Sequence, residues 1–341
     1  MEVYAAFDDP RLPLRDVAAL AQRAERIGFH GLLVPEAVHD AFLLAALALE
    51  HTTRLRIATS VALAFPRSPT TVAYAAWDLA AFSGGRFSLG LGSQVRANIT
   101  GRFGVEWQPP VARMRDYVTA LRAVWSCWQN GTRLEVETEH YRLSRMQPFF
   151  NPGPIESPEI PIHLGAVNPA MVRLAGEVAD GLMTHPTNTS PRVLAERIAP
   201  QLRAGAEAAG RGQPPPVIAS TFVATGADTR AVAEERDRLR EHFGFLYSTP
   251  QYRATLDLYG WGDLADRLHE LSREGRWGEL KSEIPDTVFD TLVPSATYEE
   301  IPDVLARWYG GLADAIALRM PEDPRHDGRL GHAIETLAGR A

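Results

Sequence analysis

The chain has almost no cysteine. Cys127 is the single one among 341 residues. An internal disulfide is therefore impossible, and no His/Cys group has the spacing of a zinc site. No metal is expected, and the composition suits a reducing compartment. Long apolar runs are also missing. The longest, Ala41 to Leu49, is about half of the ~20 residues a membrane-spanning helix needs. The start, "MEVYAAF", lacks the basic-then-apolar pattern of a secretory signal and reads as a strand. Basic charge is not in excess. Thirty-five Lys+Arg against 42 Asp+Glu leave a net charge of -7, which argues against the basic patches of nucleic-acid binding. The expectation is a cytoplasmic protein acting on a small molecule, with no membrane or nucleic-acid partner.

What is present is alternation. Short aliphatic runs are followed by helical patterns along most of the chain. Strands are expected at Val3–Phe7, Gly31–Val34, Leu55–Leu63, Arg86–Leu91, Ile160–Leu164, Gly181–Thr184, Val217–Ala224 and Ala313–Arg319. Apolar residues at helical spacing from Leu14 to Ile27, closed by Gly28, show the pattern between strands. The stretch "TRLEVETEHYRLSRMQPFF" alternates as a hairpin does. A long helical stretch, Asp228 to about Glu283, separates the last two strands. Strand–helix alternation implies parallel strands with right-handed crossovers. Eight such units imply an α/β fold of the (β/α)8 TIM-barrel type in one domain, 1–341. It carries a hairpin insertion after strand 4 and a helical insertion between strands 7 and 8. A doubly wound open sheet is the rival.

In a barrel, chemistry gathers where strands end. After strand 2, "PEAVHD" offers Glu36 and His39 as acid, base or orienting groups, although Asp40 also reads as a helix cap. Ser60 and Val61 lie inside the strand 3 run, where a lone Ser is read first as satisfying a local hydrogen bond. The segment "SGGRFSLGLGSQVRANITGRFG", Ser83 to Gly104, holds six glycines. Gly90 and Gly92 leave room on the inner wall for something flat or bulky, or serve packing alone. Ser93, Gln94 and Arg96 follow as polar candidates. The spacing is not that of a dinucleotide fingerprint. After strand 5, Asn168 and Pro169 open a helix. A phosphate can dock there on the amides of Gly165, Ala166, Val167 and Asn168. Thr184 and His185 follow strand 6. Arg319 follows strand 8 as a substrate or anion contact.

"GGRFSLGLGSQ", the Glu/His loop after strand 2, "YRLSRMQPFF" and "LAGEVADGLMTH" together resemble the bacterial luciferase-like monooxygenase superfamily. The chain is most similar to its branch of coenzyme F420-dependent oxidoreductases. The resemblance implies a cofactor ring at the C-terminal mouth of a (β/α)8 barrel. It implies a non-proline cis bond at Ser60–Val61 and phosphate-binding amides at Gly165 to Asn168. It also implies that Ser93 and Gln94 meet the ring or its ribityl chain. Hydride would pass between the deazaflavin C5 and a small organic substrate, with His39, Glu36 and His185 as acid/base or orienting groups. A homodimer or higher homo-oligomer is expected. Two departures stand out. Many deazaflavin members carry an Asp-His pair after strand 2, where Glu36 and Ala37 stand here, with His39 two residues on. Some carry a Glu after strand 4, where Gln94 and Val95 stand here. The rival readings are a reduced-FMN monooxygenase and a non-catalytic flavin-binding barrel.

Overall fold

The structure is a computed structural model that describes residues 1–339. Eight parallel strands form its centre: β1 (Glu2–Ala6), β2 (Gly31–Val34), β3 (Arg56–Thr59), β4 (Phe87–Gly92), β5 (Ile162–Gly165), β6 (Gly181–Met183), β7 (Val217–Ala219) and β8 (Ala315–Leu318). Neighbours follow chain order around the ring. The last strand returns to the first, pairing Glu2 with Ala315 and Ala5 with Leu318. An open sheet keeps two unbonded edges; here those edges are bonded to each other, so the barrel is closed.

The surrounding helices are α1 (Val17–Ile27), α2 (Ala41–Glu50), α3 (Pro69–Ser83), α4 (Pro110–Asn130), α5 (Pro169–Val178), α6 (Ala199–Ala208), α7 (Thr229–Tyr247), α8 (Gly262–Arg273), α9 (Ile301–Tyr309) and α10 (Asp327–Ala338). Their ends follow local chemistry. Gly28 ends α1 at φ 104°, in the left-handed region that glycine adopts cheaply. The Asp40 carboxylate accepts the N–H groups of Phe42 and Leu43 and so starts α2. Ser68 caps α3, and Asp228 caps α7.

Two cores result. Between barrel and helices lie Trp77 and Trp128, edge to face at 5.6 Å and both almost fully buried. Each large side chain buried this way contributes ~1.5–3 kcal/mol. Inside the barrel, Tyr4, Leu33, Ala58, Met183 and Ile218 fill the axis. His163 points into the same interior, opposite Gly181. Its Nδ1 is buried without a hydrogen-bond partner, and burial lowers its pKa to about 4. The insertion between β7 and β8 has a core of its own around Phe243, Leu268, Leu271 and Phe289.

Five of the eight expected strands are shorter in the structure, and two of these differences shape the barrel mouth. β3 breaks after Thr59. The Ser60–Val61 peptide is cis, and the strand resumes at Ala62–Leu63, paired with Leu91 and Gly92. β7 stops at Ala219 rather than Ala224. Residues 220–223 run along the barrel mouth, and Ala224–Gly226 pairs in parallel with Ser295–Thr297 outside the barrel. A short helix, Arg96–Gly101, forms in the polar run after β4. The hairpin is Val136–Glu137 against Arg142–Leu143, antiparallel, between α4 and β5.

Candidate functional site

A cavity of about 800 Å³ opens at the C-terminal ends of the strands. Its floor is made by the break in β3. Ser60, Val61 and Gly92 face the cavity, and Gly90 sits behind the break. A Cβ at Gly90 would overlap the Thr59 carbonyl oxygen, and one at Gly92 would collide with the Val61 side chain. These glycines therefore admit the protein's own bulged strand. The room expected for a ligand at Gly90 is filled by backbone, and the ligand face is Val61 itself. Thr59 locks the arrangement. Its hydroxyl donates to the Gly90 carbonyl at 2.7 Å and accepts the Gly90 N–H at 2.8 Å.

Glu36 supports this floor from outside the cavity. Its carboxylate accepts the Leu63 N–H at 2.8 Å, just past the bulge, and both oxygens take Arg67 at 2.8 and 2.9 Å. Arg67 also binds Asp40 at 2.6 Å. With its oxygens so committed, Glu36 holds the bulge rather than a substrate. His39 lies half-buried on the approach to α2, outside the cavity wall. Arg96 is exposed on its short helix and also lies outside the wall.

Ser93 and Gln94 do reach the cavity. Gln94 adopts φ 58°, the one described non-glycine residue in the left-handed region. Its Oε1 accepts from the Val95 N–H and from Asn98 Nδ2. Only its amide N–H groups remain for a ligand, so Gln94 donates and cannot act as an acid.

The opposite wall is the start of α5. Gly165, Ala166, Val167 and Asn168 all line the cavity, but their amides are not equivalent. The Ala166 N–H is spent on the Met183 carbonyl at 3.1 Å. The Asn168 side chain occupies the Met171 N–H at 2.9 Å. The N–H groups of Val167 and Asn168 make no hydrogen bond among the described residues. They stand at the positive end of a ten-residue helix, which favours an anion. Beside them Thr184, 4 % exposed, keeps a buried hydroxyl with no partner among the described residues. An unpartnered buried polar atom is costly unless a ligand completes it. Two free amides and this hydroxyl together fit a phosphate-bearing group.

The third side joins the barrel to the insertion. His185 stacks on Tyr252 at 4.4 Å and nearly parallel, and its Nδ1 meets the Thr187 hydroxyl at 2.8 Å. Burial, then the neighbouring His242, lowers its pKa to about 4. Burial and the Arg238 charge lower that of His242 as well. Both rings are neutral near pH 7. At the mouth, Arg319 Nε lies 2.8 Å from Asp8 Oδ2, an ion pair rather than an aligned hydrogen bond. Asp8 is the one carboxylate among the described residues that lines the cavity. Its burial among these groups raises its pKa against the opposing pull of Arg319.

The structure thus brings Ser60, Val61, Ser93, Gln94, the 165–168 segment, His185 and Arg319 onto one cavity, and leaves Glu36, His39 and Arg96 off it. Sequence reading missed Asp8, Arg238, His242 and Tyr252. Asp8 was within reach, because the strand-end rule applied to β1 gives it directly. Glu235, Arg238, Leu239 and His242 have the spacing of a single helix face, but nothing local says where that face docks. Among the described residues, no group of His, Cys, Asp and Glu is placed to hold a metal ion. No described helix is long and apolar enough to cross a membrane.

The chain belongs to the luciferase-like monooxygenase family, whose model matches residues 3–315. It is 40% identical to the uncharacterized protein Rv1360 of Mycobacterium tuberculosis, over 89% of each chain. It is 31% identical to Rv3520c of the same organism, provisionally named a coenzyme F420-dependent oxidoreductase, over 87% of this chain and 88% of that one. Among solved structures, the coenzyme F420-dependent tetrahydromethanopterin reductase of Methanopyrus kandleri superposes with a TM-score of 0.78 at 19% identity. That superposition covers 99% of this chain and 96% of that one and establishes the shared barrel.

Proposed function

We propose that this protein is a coenzyme F420-dependent oxidoreductase acting on a small organic substrate at the barrel mouth. The single observation that carries the reading is the cavity's polarity. It has anion-accepting amides and an orphaned hydroxyl on one wall, and a lone carboxylate on the other. The 31% identical relative supports the choice of deazaflavin. When bound, the coenzyme would supply hydride exchange at its C5.

The protein's own residues divide the remaining work. The amides of Val167 and Asn168 and the Thr184 hydroxyl would hold the phosphate-bearing tail. Val61 would back the ring, and Gln94 would donate to one of its oxygens. Asp8 is the proton-handling group. Gln94 cannot serve, and Glu36 is committed to Arg67 and Leu63. Charges at the mouth cancel: Asp8 and Glu235 against Arg319 and Arg238. With both histidines neutral, this wall suits an uncharged substrate that presents a hydroxyl or carbonyl oxygen to Asp8.

Calorimetric titration of the purified protein with coenzyme F420 and with FMN, each oxidised and reduced, tests the reading. Tight F420 binding and weak FMN binding are expected. Tight FMN binding without F420 binding would overturn it. That result would instead favour a reduced-FMN monooxygenase, the reading the family's name supports.

A further inference from the structure

The insertion is fastened to the barrel along two edges of different chemistry. One edge is held by hydrogen bonds between uncharged groups, with the Arg192 guanidinium lying over the Tyr259 ring at 5.4 Å. The Thr187 carbonyl, just after β6, accepts the Tyr247 hydroxyl at 2.9 Å and the Thr255 hydroxyl at 2.6 Å. Tyr259 and Ser190 join hydroxyls at 3.0 Å. These contacts are buried or half-buried and join hydroxyl to hydroxyl or carbonyl.

The other edge is ionic and passes through one side chain. Glu235 on α7 accepts Arg319 Nη1 at 2.9 Å through Oε2. The same oxygen takes Arg238 Nε at 2.7 Å, and Oε1 takes Arg238 Nη2 at 2.5 Å. Arg319 in turn faces Asp8. The Glu235 side chain is 13% exposed, against 26% for Arg319 and 32% for Asp8. The middle of this ladder is thus its most buried rung. Other titratable groups face it among the described residues: Glu322 lies 3.8 Å from Arg319, Tyr298 lies close enough to feel Glu235, Arg319, Arg329 and Asp327, and His242 follows Arg238 one turn further along α7.

We propose that Glu235 is a positioning residue. One carboxylate grips two arginines, docks α7 on the mouth and competes with Asp8 for Arg319. The same helix carries Leu239 and His242 into the cavity wall, so the grip also sets the width of the substrate space. The functional part of this inference rests on Asp8 handling the proton; the docking part does not.

The physical consequence has a definite sign. Arg319 is shared between Asp8 and Glu235 at close range, with the exposed Glu322 further off at 3.8 Å. Removing the Glu235 charge leaves Arg319 to Asp8 and the exposed Glu322, and removes a like charge near Asp8. Both changes favour ionised Asp8. In Glu235→Gln, which keeps the side chain's shape, the Asp8 carboxyl titrates at lower pH than in the wild type. An Asp8 acid is then lost at lower pH, so the alkaline limb of the kcat/KM profile moves down.

The test uses the full-length protein and two measurements that need no cofactor. Carboxyl-carbon NMR follows the titration of Asp8, assigned with Asp8→Asn. Hydrogen exchange follows residues 229–247. Glu235→Gln is expected to lower the Asp8 midpoint and to speed exchange in α7 at least ~10-fold, as loosened docking requires. Glu235→Asp keeps the charge on a shorter stem and restores part of both. An unmoved Asp8 midpoint together with unchanged α7 exchange in Glu235→Gln overturns the proposal. If both measurements shift as expected while Asp8→Asn turns over normally, the ladder stands and the role given to Asp8 falls.

Discussion

The two walls of the cavity are built on different principles. The α5 wall consists of backbone: free amides, a helix end and one threonine hydroxyl. Its charge preference comes from a dipole and does not titrate. The insertion wall consists of side chains, with paired arginines and carboxylates and histidines that burial keeps neutral. The first suits a fixed, recurring ligand such as a cofactor tail. The second can change its chemistry by single substitutions, so it suits the variable partner, the substrate. Because the two walls use different groups, each can be altered without touching the other.

The largest expected effect comes from the side-chain wall. Asp8→Asn keeps the shape and removes the proton. Turnover is expected to fall at least ~100-fold, the lower range for losing a general acid or base, with cofactor affinity unchanged. Steady-state kinetics beside a cofactor titration decide this. Near-normal turnover would remove Asp8 from the chemistry.

A somewhat smaller effect sharpens the contrast with the barrel interior. His163 has an ordinary value of 6.5 and a folded value of about 4. Between these, the unfolded chain binds a proton that the folded barrel refuses. Stability is therefore full above pH 6.5 and is lost as pH falls through the window. From pH 7 to 5 this single group costs on the order of 2 kcal/mol. Denaturant unfolding at the two pH values should show a smaller loss in His163→Gln than in the wild type. Equal losses would mean that His163 is not the titrating group. The shift at His185 acts in the same direction.

The backbone wall is broken by charge. Val167→Glu places a carboxylate beside the two free amides. Cofactor affinity should fall at least ~10-fold, on the order of 1.4 kcal/mol, while the Asp8 titration stays in place. An unchanged dissociation constant would put the phosphate elsewhere. Ala166 is a poorer site for this test, being 4% exposed with its N–H already bonded. Smallest is Asn168→Ala. It removes the cap on the Met171 N–H and should cost ~1 kcal/mol of stability, read as a shift in the denaturation midpoint.

Much of this architecture was legible in the chain. β2, Gly31–Val34, and α5, Pro169–Val178, lie where the pattern puts them, because local apolar periodicity and an Asn-Pro helix start specify them without help. The closed barrel follows from eight repeats of one unit. The 165–168 segment was findable because a helix start after a strand is a local signal. Local chemistry could not show that the Ala166 N–H already has a partner. The Met183 carbonyl that takes it belongs to the next strand.

The sequence by itself determined the alternation, the caps and the residue types at each strand end, since these depend on neighbours within about four positions. Tertiary structure decided the rest. Gly90 and Gly92 looked like space for a ligand, but the fold spends that space on Thr59 and Val61, some 30 residues away. Glu36 looked like an acid, but Arg67 and Leu63 claim it as a brace for the bulge. Asp8, Glu235 and Arg319 are far apart in the chain, and closure of β8 onto β1 and the docking of α7 bring them together. The physical reason is range. Helix, strand and cap are set by local torsions and hydrogen bonds, whereas the partner of a charge is set by which elements pack across the mouth.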